Sequence, residues 1–230
     1  MKQFLLLSIL AFAMSRVALS SPCASGTLAS YIGLGAAGCT VGANTFFDFQ
    51  TVPGTARATT ISTGAVSLSP LGGSFNPGLS TTVNVSAAAN SLLETIFTYQ
   101  VSGQSYASDA ITLGGASETG DGGVTYTQNY CFGGTFGPDG VTGCTGTAGA
   151  LVTLDGVQNS ASATVAQASL VSITDDLVLD GGTMGSASGA VATDQLAAVP
   201  EPGSIWLVGM AVLAFGCFKR LTLKCKESTN

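Results

Sequence analysis

The side chains that usually run a catalytic site are missing from this chain. No His occurs among its 230 residues, which removes the commonest general base and the commonest metal ligand together. Lys occurs only at 2, 219, 224 and 226. Between the two ends, therefore, neither a Ser–His nor a Ser–Lys nucleophile can be assembled from the many serines. Paired carboxylates, as in glycoside hydrolysis, are the remaining option. Asp175 and Asp176 are adjacent and would point to opposite faces of a strand. Glu94, Glu118 and Asp121 would have to be brought together by the fold. The pattern predicts no catalytic residue and no enzyme.

Hard oxygen ligands could suit calcium. Glu118-x-x-Asp121-Gly122-Gly123 and Asp175-Asp176-x-x-x-Asp180-Gly181-Gly182 each set carboxylates beside Gly turns. Neither has the ligand spacing of an EF-hand loop, so solvated turn residues are the expected reading, with no metal and no cofactor. Six Cys fall into two groups. Cys217 and Cys225 lie in the C-terminal end, while Cys23, Cys39, Cys131 and Cys144 lie in the middle. Those four lack the close C-x-x-C pairs of zinc modules. In an oxidising compartment they allow three connectivities. The sequence-local pairs Cys23–Cys39 and Cys131–Cys144 are the expected ones, each closing a Gly-containing segment of a length where a bridge adds roughly 3 kcal/mol.

The elements that must position these groups read as strands. Between 21 and 203 no convincing helix is visible, and the apolar period is two. Strand patterns occur at Thr59–Thr63, Thr81–Ser86, Glu94–Val101, Gly123–Tyr130, Leu151–Leu154, Ala168–Ile173 and Asp176–Leu179. Phe97, Tyr99 and Val101 share one face, as do Val124, Tyr126 and Tyr130. Gly-rich turns such as Leu113-Gly114-Gly115 and Asp180-Gly181-Gly182 punctuate them. The expected fold class is all-β, an antiparallel β-sandwich or jelly roll over 21–181. The Ala/Ser/Gly-rich 182–198 then reads as a final strand and linker.

Both ends are hydrocarbon. Lys2 precedes the apolar run Phe4–Met14, and Ala18-Leu19-Ser20 offers small residues for cleavage, so 1–20 reads as a secretory signal peptide. At the other end Pro200-Glu201-Pro202 precedes the 14 residues Ile205–Phe218, followed by Lys219 and Arg220. A helix of that length spans about 21 Å, and snorkelling Lys219 and Arg220 with the following residues would extend it across a bilayer. A transmembrane helix over about 204–221 is expected, with 224–230 as a tail. The basic pair places that tail in the cytoplasm. Two prolines hold the preceding segment extended and without backbone donors.

This tripartite end, a Pro-Glu-Pro signal over 199–223 with its apolar run and basic tail, resembles the PEP-CTERM sorting signal of Gram-negative bacteria. The resemblance implies a cleaved signal peptide and passage through the secretion machinery. It also implies recognition of Pro200, Glu201 and Pro202 by a membrane-embedded exosortase-type peptidase. Membrane attachment by the C-terminal helix would be at least transient, and the destination would be the cell surface or extracellular matrix, with exopolysaccharide as the implied context. The opening Cys23–Ile32 through Cys39, Phe46-Phe47-Asp48-Phe49, and the later Leu177-Val178-Leu179-Asp180-Gly181-Gly182 are similar to an acidobacterial group of such surface proteins.

Charge narrows the partners. Between 21 and 203 a single basic residue, Arg57, stands against twelve acidic ones, a net charge of −11. That field repels phosphate backbones, so nucleic acid is not an expected partner. Two readings of the exported body follow. One is a structural or adhesive surface protein. The other is a carbohydrate-binding module presenting Tyr99, Tyr106, Tyr126 and Tyr130 to extracellular polysaccharide.

Overall fold

The computed structural model describes residues 20–199. They form thirteen strands, one short α-helix and a single 3-10 turn at Gly35–Ala37: β1 (Ser21–Pro22), β2 (Gly26–Thr27), α1 (Leu28–Ile32), β3 (Cys39–Val41), β4 (Asn44–Thr51), β5 (Thr59–Thr60), β6 (Val66–Leu71), β7 (Gly78–Ala88), β8 (Leu92–Gly114), β9 (Ser117–Thr119), β10 (Gly123–Phe132), β11 (Thr147–Leu154), β12 (Ser160–Asp180) and β13 (Ser186–Val199). All belong to one hydrogen-bonded sheet, antiparallel except where β1 meets β3 and β5 meets β8. The expected all-β character is present. In place of two separate sheets there is a single curled one.

Two long strands make the curl. The first half of β8 pairs with β4 on one side, Phe46 opposite Val101, and with the second half of β12 on the other, Ile173 opposite Tyr99. The second half of β8 exchanges β4 for β13, with Asp194 opposite Ile111, while keeping β12 as its other neighbour. The exchange falls at Gly103, whose φ of 144° is one that a side chain resists. A Cβ there would sit 2.6 Å from the carbonyl oxygen of Ala43. β12 is irregular at the same level, its register slipping between Thr164 and Leu170. One half of the sheet thus runs β3-β4-β8-β12-β10-β11, and the other β12-β8-β13-β7-β6-β2.

Strand alternation then fills the interior. Phe97, Tyr99 and Val101 of β8 are fully buried, as are Val124 and Tyr126 of β10. Phe49 stacks on Tyr99 at 5.1 Å centroid spacing, with Tyr31 edge-on to Phe49 at 5.0 Å, so α1 closes over the β4 side of the core. The helix is one turn long and starts where the Thr27 hydroxyl accepts the Ser30 N–H.

Two sequence expectations are corrected. Ala168–Ile173 and Asp176–Leu179 are parts of one strand, β12, because Thr174 and Asp175 keep the ladder to β8 and β10 unbroken. The 182–198 stretch holds no linker: β13 runs to Val199 and lies between β7 and β8. Its small residues are a packing feature, since Ala187, Ala190 and Ala192 are buried against the core. Among the described residues no helix is long and apolar enough to cross a membrane. All but the last residue of the expected signal peptide over 1–20, the Pro200-Glu201-Pro202 motif, the 204–221 helix with Lys219 and Arg220, and the tail lie outside the described residues.

Candidate functional site

Both sequence-local disulfides are present. Cys23–Cys39 ties the N-terminal arm to β3, with Cα atoms 4.8 Å apart. Cys131–Cys144 joins the end of β10 to the far side of a Gly-rich loop, with Cα atoms 5.6 Å apart. That loop folds back over the outer face of the sheet. The Ser172 hydroxyl donates to the Gly134 carbonyl at 3.2 Å, and the Thr174 hydroxyl donates to the Gly140 carbonyl. Asp139 holds the tip, accepting the N–H groups of Val141 at 3.1 Å and Thr142 at 2.9 Å. The Thr142 contacts, side chain first, hold the Asp139 carboxyl below the usual carboxylate range.

Between this loop and the end of β4 lies a groove of about 250 Å³. Thr98 and Gln100 of β8 contribute to it because they alternate with the buried Phe97, Tyr99 and Val101. Asp48 and Gln50 of β4 and Phe136 of the loop complete its lining. Asp48 enters it from a bulge: its φ is 55°, and the β4–β8 register shifts between Phe47 and Gln50. Such bulges re-aim a side chain away from the regular ladder.

Of the carboxylates singled out in the sequence, Glu94 and Asp176 are brought near each other, while Glu118 and Asp121 are each held by backbone N–H groups. Glu94 is buried and accepts the Thr55 N–H at 2.5 Å. Glu118 accepts the Val124 N–H at 2.7 Å. Asp121 accepts the N–H groups of Thr183 and Met184, each at 2.8 Å, and the Thr183 hydroxyl at 2.5 Å. These donors, the hydroxyl foremost, hold its carboxyl well below the usual range. Asp180 accepts the Gly182 N–H at 2.8 Å. In the two calcium-like stretches, Glu118, Asp121 and Asp180 are thus spent on backbone N–H groups, while Asp175 and Asp176 lie within β12. Among the described residues no group of three or more His, Cys, Asp or Glu is arranged to hold a metal ion. Asp175 and Asp176 do face opposite ways: the first is fully buried, and the second is half-buried, its pKa raised to about 6 by burial and then by Glu94.

The tyrosines offered as a sugar platform are core residues. Tyr99, Tyr106, Tyr126 and Tyr130 are all buried. Three of the hydroxyls satisfy interior partners: Tyr99 donates to Asp194, Tyr126 to Asp175 at 2.7 Å, and Tyr106 to Asn44 at 2.6 Å. This corrects the platform reading, because none presents a ring face to solvent.

Sequence reasoning passed over Asp109 and Asp194, which are buried with Asp175. A signal was there. Asp109 shares strand parity with Ile111 and Leu113, Asp175 with Ile173 and Leu177, and Asp194 with Ala192 and Leu196, all inward-facing. A charged residue on the apolar parity of a strand marks a buried polar group.

These features define a disulfide-stapled β domain in which Glu94, Glu118, Asp121, Asp139 and Asp180 fasten its own backbone. The chain carries the PEP-CTERM protein-sorting motif at residues 198–220. The motif begins within β13 and continues beyond the described residues. It implies export and sorting to the cell surface through exosortase-type machinery. No curated protein and no solved structure matches the chain.

Proposed function

We propose that the chain is a non-enzymatic protein of the cell surface or extracellular matrix, delivered there through its sorting tail. The observation that carries this reading is the PEP-CTERM motif at 198–220, joined without a spacer to β13, an interior strand. Supporting it, Glu94, Glu118, Asp121, Asp139 and Asp180 each accept backbone N–H groups of their own domain. Glu94 also has a carboxyl neighbour, Asp176, whose pKa it helps to raise. The test is an assay of the purified protein on extracellular polysaccharides. No turnover is expected. Turnover abolished by Glu94→Gln or Glu118→Gln would make it a hydrolase and contradict the proposal.

The groove under the Cys131–Cys144 loop favours a second reading, a carbohydrate-binding module for exopolysaccharide. Amide and carboxylate side chains offer the paired donors and acceptors that vicinal hydroxyls need. Asp48, Gln50 and Gln100 supply them beside the Phe136 ring. A glycan-array screen separates the readings. Binding that is lost in Gln100→Ala supports the module, and silence across the array leaves the structural reading.

A further inference from the structure

Three carboxylates share the interior with no cation to neutralise them. Asp109 is on the second half of β8, Asp194 on β13 and Asp175 on the second half of β12, each at most 1% exposed. Among residues 20–199 the one basic side chain is Arg57, which is exposed. The groups facing the cluster are Tyr99 from β8, Tyr126, Gln128 and Tyr130 from β10, and the aspartates themselves. From the remaining flanks, β4, β6 and β7, the buried neighbours of this core are the apolar Phe46, Phe49, Leu68, Leu79 and Val83 and the uncharged polar Asn44 and Thr81, neither of which titrates.

The hydrogen-bond ledger of this cluster is short of donors. Tyr99 donates to Asp194, and Tyr126 and the Gln128 amide both donate to the same oxygen of Asp175, at 2.7 and 3.3 Å. Both oxygens of Asp109, one each of Asp175 and Asp194, and the Gln128 carbonyl oxygen are buried without a donor. Asp109 and Asp194 are nevertheless diagonal neighbours on the inner face of paired strands, Asp109 opposite Leu196 and Asp194 opposite Ile111. Two carboxyls held that close in a dry interior favour a proton between them. Buried acceptors without donors are costly, and no metal-holding arrangement exists among the described residues.

We propose that Asp109, Asp175 and Asp194 form a proton-sharing latch between the two halves of the curled sheet. Carboxyl protons supply the missing donors, so the latch is closed in acid and loosens as the pH rises. The geometry spans the halves: Tyr99, Tyr126, Gln128 and Asp175 come from one, Asp109 and Asp194 from the other. Burial first, and the neighbouring carboxylates second, raise the affinity of Asp109 and Asp175 for protons well above that of an ordinary aspartate. A carboxyl that binds its proton more tightly folded than unfolded stabilises the fold fully below its unfolded pKa. That contribution is lost as the pH rises through the folded value. The device runs opposite to ordinary acid denaturation.

The test uses the full chain purified in detergent. Its thermal midpoint should be highest near pH 4–5 and fall by on the order of 10 °C towards pH 9. Asp109→Asn, which supplies donors without ionising, should flatten that fall. An infrared carboxyl C=O stretch of the unsubstituted protein at pH 8, where ordinary carboxyls are ionised, reads the shared proton without relying on a variant. A midpoint that rises with pH, the absence of that stretch, or a loss of stability on adding EDTA at pH 7 would each overturn the latch.

Discussion

At the scale of single residues, the polar interior is built by side chains that each join several segments. Asn44 is fully buried and makes four hydrogen bonds. Its amide donates to the carbonyls of Val41 at 3.2 Å and Ser74 at 3.0 Å, and its oxygen accepts from Gln104 N–H at 3.3 Å and the Tyr106 hydroxyl at 2.6 Å. One side chain thus pins the β3–β4 turn, the loop after β6 and the bend of β8. Asn44→Ala leaves those partners without a mate in the interior, and chemical denaturation should show a loss of about 3 kcal/mol. Little of this was legible in the sequence, where Asn44 sits in a Gly-Ala-Asn stretch that reads as an exposed turn. The inward aspartates were more accessible, since their strand parity is visible. Their acidity argued against burial because an isolated charge is expensive to desolvate; a shared proton removes that objection. The turn carboxylates Asp121 and Asp180 were read correctly as turn residues, but the sequence could not show that Asp121 reaches across to Thr183.

At the scale of elements, period-two alternation located the strands around Phe97, Tyr126 and Ile173, and Gly turns marked the ends of β8 and β12. It did not show that β8 and β12 are long strands passing through the bend, because hydrogen-bond partners change along a strand without any change in its own pattern. It indicated a final strand in 182–198 but not that the strand runs on to Val199 in place of a linker, since close packing selects the same Ala, Ser and Gly that flexible segments use. Gly103 is where the curl is set. Gly103→Ala would force a side chain into a left-handed conformation and against the Ala43 carbonyl. A loss of about 2–3 kcal/mol in chemical denaturation is expected. An unchanged midpoint would mean that the bend is made elsewhere, at the irregular part of β12. The Cys131–Cys144 pairing was legible from sequence locality. The groove beneath the loop was not, because it depends on Thr98 and Gln100 meeting Asp48 and Gln50 from a different strand.

At the scale of the whole molecule, the separation of roles is sharp. The described body carries eleven acidic residues against one Arg, spends most of its carboxylates on its own turns and interior, and closes two loops with disulfides suited to an oxidising compartment. The address is carried by the motif at 198–220, directly after the last strand. The most direct test of that account is intact-mass spectrometry of the protein recovered from the surface of a cell that contains an exosortase. The account predicts a mature polypeptide that lacks Lys219–Asn230. A surface protein that retains those residues would contradict it.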